Sequence, residues 1–123
     1  MAFPATYDFN YYRGDTYSFT IRPKQANNAT YPLDNFTAKF VVSESRGAAG
    51  IASAVICHTS LDTVSDTLTC KIRPADGIQL DPTKVYYYDV QITGSGSNLG
   101  DVYTLLTGKI TVQDDISDTV AVP

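Results

Sequence analysis

The residues best equipped for chemistry are Cys57 and His58, a thiol and the only imidazole in a chain of 123 residues. A solitary histidine beside one cysteine on a predicted strand does not assemble an ordinary zinc site, which wants three or four ligands. His58 is therefore read as structural. No Gly-x-Ser-x-Gly elbow, phosphate loop or Cys-x-x-Cys pair occurs, and the remaining acids are scattered through predicted loops. Catalysis and a bound cofactor are not expected. Asp114, Asp115 and Asp118 offer hard oxygen ligands for calcium but lack the glycine-punctuated spacing of a dedicated loop, so they read as a solvated acidic tail. Arg13-Gly14-Asp15 has the letters of an integrin-binding tripeptide; the structural reading is a turn whose glycine takes a positive φ. Asn28-Ala29-Thr30 and Asn35-Phe36-Thr37 fit the glycosylation sequon, which matters only in an exported protein.

With no chemistry to position, the elements themselves become the subject. The length suits one domain with its own core, expected over about residues 6–112, with short arms at 1–5 and 113–123. Nine Tyr and five Phe with no Trp supply large, stiff pieces suited to sheets, so the class is all-β. A formal net charge of -4 repels phosphate polyanions and argues against nucleic acid as a partner. No apolar stretch approaches the roughly 20 residues that cross a bilayer. The first residues lack the basic and apolar regions of a signal peptide, so a cytoplasmic product is expected. In that setting Cys57 and Cys70 read as two small buried hydrophobes. The alternative is a cross-strand disulfide, since a hairpin centred between Thr63 and Val64 would set them directly opposite.

The central strand is expected over residues 85–92, where Tyr86, Tyr88, Val90 and Ile92 alternate with Tyr87, Asp89 and Gln91. Ahead of it, residues 6–12 read as a first strand with Tyr7, Phe9 and Tyr11 inward. Residues 17–21 follow with Tyr17, Phe19 and Ile21 in phase, then residues 36–42 with Phe36, Ala38, Phe40 and Val42. Residues 51–59 and 66–73 form a hairpin, and residues 74–79 hold one helical turn started by Pro74. Residues 102–112 return as a last long strand, with a bulge expected at Gly108. Two glycine- and serine-rich loops, 43–50 and 94–100, read as mobile surface segments, with Arg46, Asn98 and Leu99 as candidate contacts.

Leu80-x-Pro82-x-x-x-Tyr86 resembles the start of the penultimate strand of fibronectin type III and related sandwiches, which implies a tyrosine corner at Tyr86 built on Leu80 and Pro82. The alternative is a Tyr-rich strand without a corner. About seven antiparallel strands in an immunoglobulin-like or fibronectin-III-like sandwich are expected. The chain also resembles the small immunoglobulin-like structural proteins and domains of tailed bacteriophage particles, including the N-terminal domain of baseplate upper proteins. The likeness rests on Tyr12-Arg13-Gly14-Asp15-Thr16 and on the Tyr88-Asp89-Val90-Gln91 strand with Gly108-Lys109-Ile110-Thr111-Val112. It implies a non-enzymatic virion component, assembled in the host cytoplasm as a capsid decoration or cement subunit or a tail–baseplate adaptor. Its partners would be other capsid, tail or baseplate proteins, in an oligomeric setting without a membrane. Phe3, Pro4, Ile116, Val120 and Val122 lie in the arms without a periodic context that would bury them, and are candidate docking residues. A second function is recognition of host-surface carbohydrate by the two loops.

Overall fold

The computed structural model describes residues 4–25, 27, 29–45 and 54–113. Among the described residues eight strands and two short helical turns follow in order: β1 (Ala5–Thr6), β2 (Phe9–Tyr12), β3 (Tyr17–Ile21), β4 (Phe36–Ser43), β5 (Val55–Asp62), β6 (Thr67–Ile72), α1 (Pro74–Gly77), β7 (Val85–Gly94), a 3-10 turn (Gly96–Asn98) and β8 (Val102–Gln113). The protein is all-β, as its aromatic and β-branched alternation requires. Its strands form one curled, mixed sheet in the order β1-β8-β7-β4-β5-β6-β3, with β2 also on β8.

The expectation of an all-antiparallel set is corrected at the N-terminus. Both β1 and β2 run parallel to β8, with Ala5 opposite Leu106 and Phe9 opposite Ile110. The first strand is also broken in two. At the break Tyr7 keeps its N–H on Thr107 O while the Asp8 carboxylate, in place of a main-chain carbonyl, accepts the Lys109 N–H at 2.8 Å. The jog turns Tyr7 partly outward, 43% exposed, against the expected inward position, whereas Phe9 and Tyr11 are buried.

β7 lies between β4 and β8 and buries Tyr86, Tyr88, Val90 and Ile92, the face its alternation predicts. The sheet curls at β5. Its first residues pair with β4, Cys57 opposite Phe40, and its remainder pairs with β6, Thr59 opposite Cys70. At the departure point Thr59 Oγ1 donates to Ala38 O at 3.3 Å, covering a carbonyl that β5 leaves behind. The curl brings β3 over β2 and encloses an aromatic cluster. Phe9 stacks on Tyr17 at 4.5 Å between centroids, and Phe19, Phe40 and Tyr88 meet edge-on, Phe19–Phe40 at 5.5 Å and Phe40–Tyr88 at 5.6 Å.

Three further expectations are corrected. The β5–β6 hairpin is centred one residue beyond the register that the disulfide alternative needs, so Cys70 faces Thr59 rather than Cys57 and that alternative is corrected, while both thiols are free and buried, as the leading reading expects. The bulge falls where Val90 pairs with Leu106 but Gln91 pairs with Thr104, leaving Leu105 as the extra residue. Gly108 instead marks a close approach, because a Cβ there would stand 2.0 Å from Tyr7 O and 2.9 Å from the Tyr88 ring. Finally, the glycine-rich loop between β7 and β8 is bonded in place, as set out below.

Candidate functional site

Tyr86 sits near the start of β7, 4% exposed, and its hydroxyl oxygen accepts the N–H of Asp81 at 2.8 Å. Leu80 is buried beside it, Pro82 follows in the turn, and the Asp81 carboxylate closes that turn by accepting from Thr83 N and Thr83 Oγ1. These two bonds hold the Asp81 carboxyl below the usual carboxylate range, the Thr83 hydroxyl contributing most. From the other side Arg13 donates through Nε to Leu80 O at 3.1 Å and through a terminal nitrogen to Ile78 O at 2.8 Å. Leu80 C=O and Asp81 N–H belong to one peptide group, so Arg13 and Tyr86 clamp the two ends of a single peptide plane. Arg13 is thus engaged with main-chain carbonyls of the corner; Gly14 takes φ +87°, the left-handed value the turn reading requires.

The helical turn α1 completes this pole. Asp76 is its third residue, only 6% exposed, and its carboxylate accepts Arg73 N at 3.2 Å, Arg73 Nε at 2.9 Å and the outer guanidinium nitrogen at 3.2 Å. Burial by itself would raise the Asp76 carboxyl, but the Arg73 side-chain and main-chain bonds more than offset it and hold it low. Gly77 lies against Tyr11, whose hydroxyl donates to Asp15 O at 2.6 Å, and a Cβ at Gly77 would stand 1.7 Å from that hydroxyl. Burial, with the Asp76 charge second, pushes the Cys57 thiol up to about 12; burial does the same for Cys70. Neither is a thiolate at neutral pH, and neither is activated as a nucleophile. His58 is exposed on the outer face, opposite Lys71. Beside the corner lies an open recess of about 410 Å³ lined by Glu44, Ala54, Val55, Gln79, Asp81, Lys84 and Tyr86. Its lysine is ion-paired with Glu44 and its aspartate is held in the Thr83 turn. Among the described residues no group of three or more His, Cys, Asp or Glu is placed to hold a metal, and no helix is long and apolar enough to cross a membrane.

The opposite pole gathers three connections. The turn at 34–35 is tied to the β7–β8 loop, with Ser95 N and Ser95 Oγ donating to Asn35 O, Asn98 Nδ2 donating to Asp34 O, and Asn35 Nδ2 donating to Ser97 Oγ. Asn35 pays for this with φ +61°. The same segment is tied to the β5–β6 turn, where Asp66 Oδ1 accepts Leu33 N at 3.1 Å. Of the candidate loop contacts, Asn98 is therefore a brace, while Leu99 projects with 81% of its surface exposed. Beneath this pole Tyr31, Phe36 and Tyr103 form a partly buried ring trio with centroids 6.2 to 6.3 Å apart.

The corner residues Leu80, Pro82 and Tyr86 come together; the candidate docking residues do not form one described site. Pro4 is exposed ahead of β1, and Phe3, Arg46, Ile116, Val120 and Val122 lie outside the described residues, as do Asp114, Asp115 and Asp118. Sequence reasoning missed the Arg13 latch, the Asp76–Arg73 pair and the Asp66 tie. Only Asp76 carried a local signal, an acid two residues after a helix-starting proline. No protein-family model matches the chain, and no curated protein matches its sequence.

Proposed function

We propose that this chain is a non-enzymatic structural protein of a tailed bacteriophage particle, an immunoglobulin-like sandwich that docks other virion proteins as a capsid decoration or cement subunit or as a tail–baseplate adaptor. The observation that carries the reading is the clamped corner on the penultimate strand of a two-sided curled sheet. With β3 to β8 taken in turn as the sandwich strands B to G, β3-β6-β5 reproduces the B-E-D order and β4-β7-β8 the C-F-G order. Tyr86 then stands where the tyrosine corner of strand F belongs, and Tyr88 where many such domains carry the second cysteine of their inter-sheet disulfide. Phe19 on β3 and Phe40 on β4 meet Tyr88 there, so an aromatic pin replaces the disulfide and its packed tryptophan. The first strand departs from the constant-domain pattern by joining β8 instead of β3.

The residues on which the phage likeness rests lie in a turn and in a pair of neighbouring strands. Arg13-Gly14-Asp15 is the turn between β2 and β3, and the Tyr88–Gln91 stretch of β7 pairs with β8 across Gly108. A second reading, recognition of host-surface sugar, is favoured by one observation: the ring trio of Tyr31, Phe36 and Tyr103 under loops held rigid by hydrogen bonds. Mass spectrometry of purified particles separates these readings together with a glycan array. Fixed stoichiometry in the particle and no saturable sugar binding support the structural role; saturable binding by the isolated protein supports recognition. Absence from the particle overturns the first reading.

A further inference from the structure

The curled sheet has two ends, one at β1 and β2 on β8 and the other at β3, and among the described residues no strand pairing joins them. Side chains bridge the seam instead. Tyr7, between β1 and β2, and Tyr17, the first residue of β3, meet at their hydroxyls, 2.9 Å apart and at the surface. Phe9 holds both phenol rings: it stacks on Tyr7 at 5.5 Å and 27°, and on Tyr17 at 4.5 Å and 8°. The Tyr7 main chain is fixed by its N–H on Thr107 O and by the Tyr88 hydroxyl, which donates to Tyr7 O. Two phenols are thus held together where water reaches them, Tyr7 being 43% exposed and Tyr17 half-buried. In each ring the carbons next to the hydroxyl-bearing carbon lie one bond from it. The hydroxyl contact therefore leaves such carbons of the two rings within a small side-chain movement of each other.

We infer that Tyr7 and Tyr17 form an oxidative cross-linking site, at which a one-electron oxidant joins the two ends of the sheet through a carbon–carbon bond between the phenol rings. Each phenol gives one electron to the oxidant and one proton to solvent. The two phenoxyl radicals couple through ring carbons next to their oxygens, and the hydrogens displaced from those carbons move to the oxygens, which restores both phenols. Two hydrogens leave in all. With a haem peroxidase as catalyst they reduce one hydrogen peroxide to two waters. Holding the rings in contact favours this pair over rings that must first find each other. Among the described residues two other tyrosine pairs touch, Tyr11–Tyr17 and Tyr31–Tyr103, but edge-on at 84° and 75°, and the Tyr11 hydroxyl is committed to Asp15 O. A bond between residues 7 and 17 restricts the unfolded chain more than the folded one, so it stabilises in the way a disulfide does. The inference goes beyond the virion reading and rests on no part of it.

The test is treatment of the dilute purified chain with a haem peroxidase and limiting hydrogen peroxide, followed by isolation of the monomer and mass spectrometry of its peptides. The wild-type monomer is expected to be lighter by two hydrogens, to gain dityrosine fluorescence, and to yield a linked peptide pair carrying Tyr7 and Tyr17. Its melting temperature should rise above that of the untreated chain. Tyr7→Phe and Tyr17→Phe should each give a monomer without the link, and the urea-unfolded wild type should lose the preference for this pair. Should either variant fail to fold, the wild-type peptide map, folded against unfolded, decides alone. A wild-type monomer without a link, a link mapped mainly to Tyr31 and Tyr103 or to another pair, or a link kept in either variant would overturn the site. A linked monomer that melts no higher than the untreated chain would overturn its role in closing the seam.

Discussion

Tyr86→Phe removes one oxygen and nothing else from a side chain that is 4% exposed, so its effect isolates the corner. The bond lost is the one from Asp81 N–H at 2.8 Å. A hydrogen bond of this kind contributes about 0.5–1.5 kcal/mol net, and a donor left buried without a partner costs about 1–3 kcal/mol. Asp81 is only half-buried, so water reaches part of the freed N–H, and a loss of about 1–2 kcal/mol is expected. At roughly 4 °C per kcal/mol for a domain of this size, the melting temperature should fall by about 4–8 °C. Urea denaturation should show the same loss as a lower midpoint at unchanged slope. Because Arg13 holds the carbonyl end of the same peptide group, Arg13→Met should also destabilise, and the double variant should lose less than the two singles together. Coupling of roughly 0.5–1 kcal/mol is expected in that cycle. A midpoint for Tyr86→Phe equal to wild type, or strict additivity with Arg13→Met, would refute the clamp.

Gly108→Ala should destabilise by about 1–3 kcal/mol, the usual scale for forcing atoms into a packed site, since its Cβ would meet Tyr7 O at 2.0 Å; calorimetry checks this, and a neutral result would mean β1 can lift off β8 freely. Asp76 has its carboxyl held below its ordinary value in the folded chain, so its contribution is present above the unfolded carboxyl range and is lost as pH falls through the lowered folded value. Asp76→Asn should therefore lower stability at neutral pH by roughly 2–3 kcal/mol and flatten the acid limb of the stability curve, whereas a parallel curve would take Asp76 out of acid unfolding. Cys57 and Cys70, both raised to about 12 by burial, should react with a thiol reagent at pH 8 only through opening of the fold. Native labelling at the rate of the urea-unfolded chain would contradict their placement.

Much of the sheet was legible because its alternation is strict where one face is buried. In β7 and β4 every inward residue follows from period two, and the proline-marked turn ahead of Tyr86 announced the corner hydrogen bond. The parallel pairing of β1 and β2 was not legible, since alternation fixes which face a side chain takes but not the direction of its neighbour. The cysteine register failed for a related reason: Asp66 adopts φ +52° and its carboxylate is taken by Leu33 N, so the centre of the β5–β6 turn is set by a residue from a distant loop. Composition likewise could not show that the glycines and serines of residues 94–100 are anchored, because the anchors are main-chain groups of Asp34 and Asn35. At the candidate site Arg13 was visible only as one letter of a tripeptide; its role depends on carbonyls 65 and 67 residues away.

The proposal that this curled sheet is a docked component of a virus particle is tested most directly by a cryo-electron density map of the particle to which the proposal assigns it. The account predicts a domain-sized density at a fixed, symmetry-related position, into which the curled sheet fits with β7 central and its surfaces against neighbouring protein subunits. A well-resolved particle in which every density is filled by other chains would contradict it.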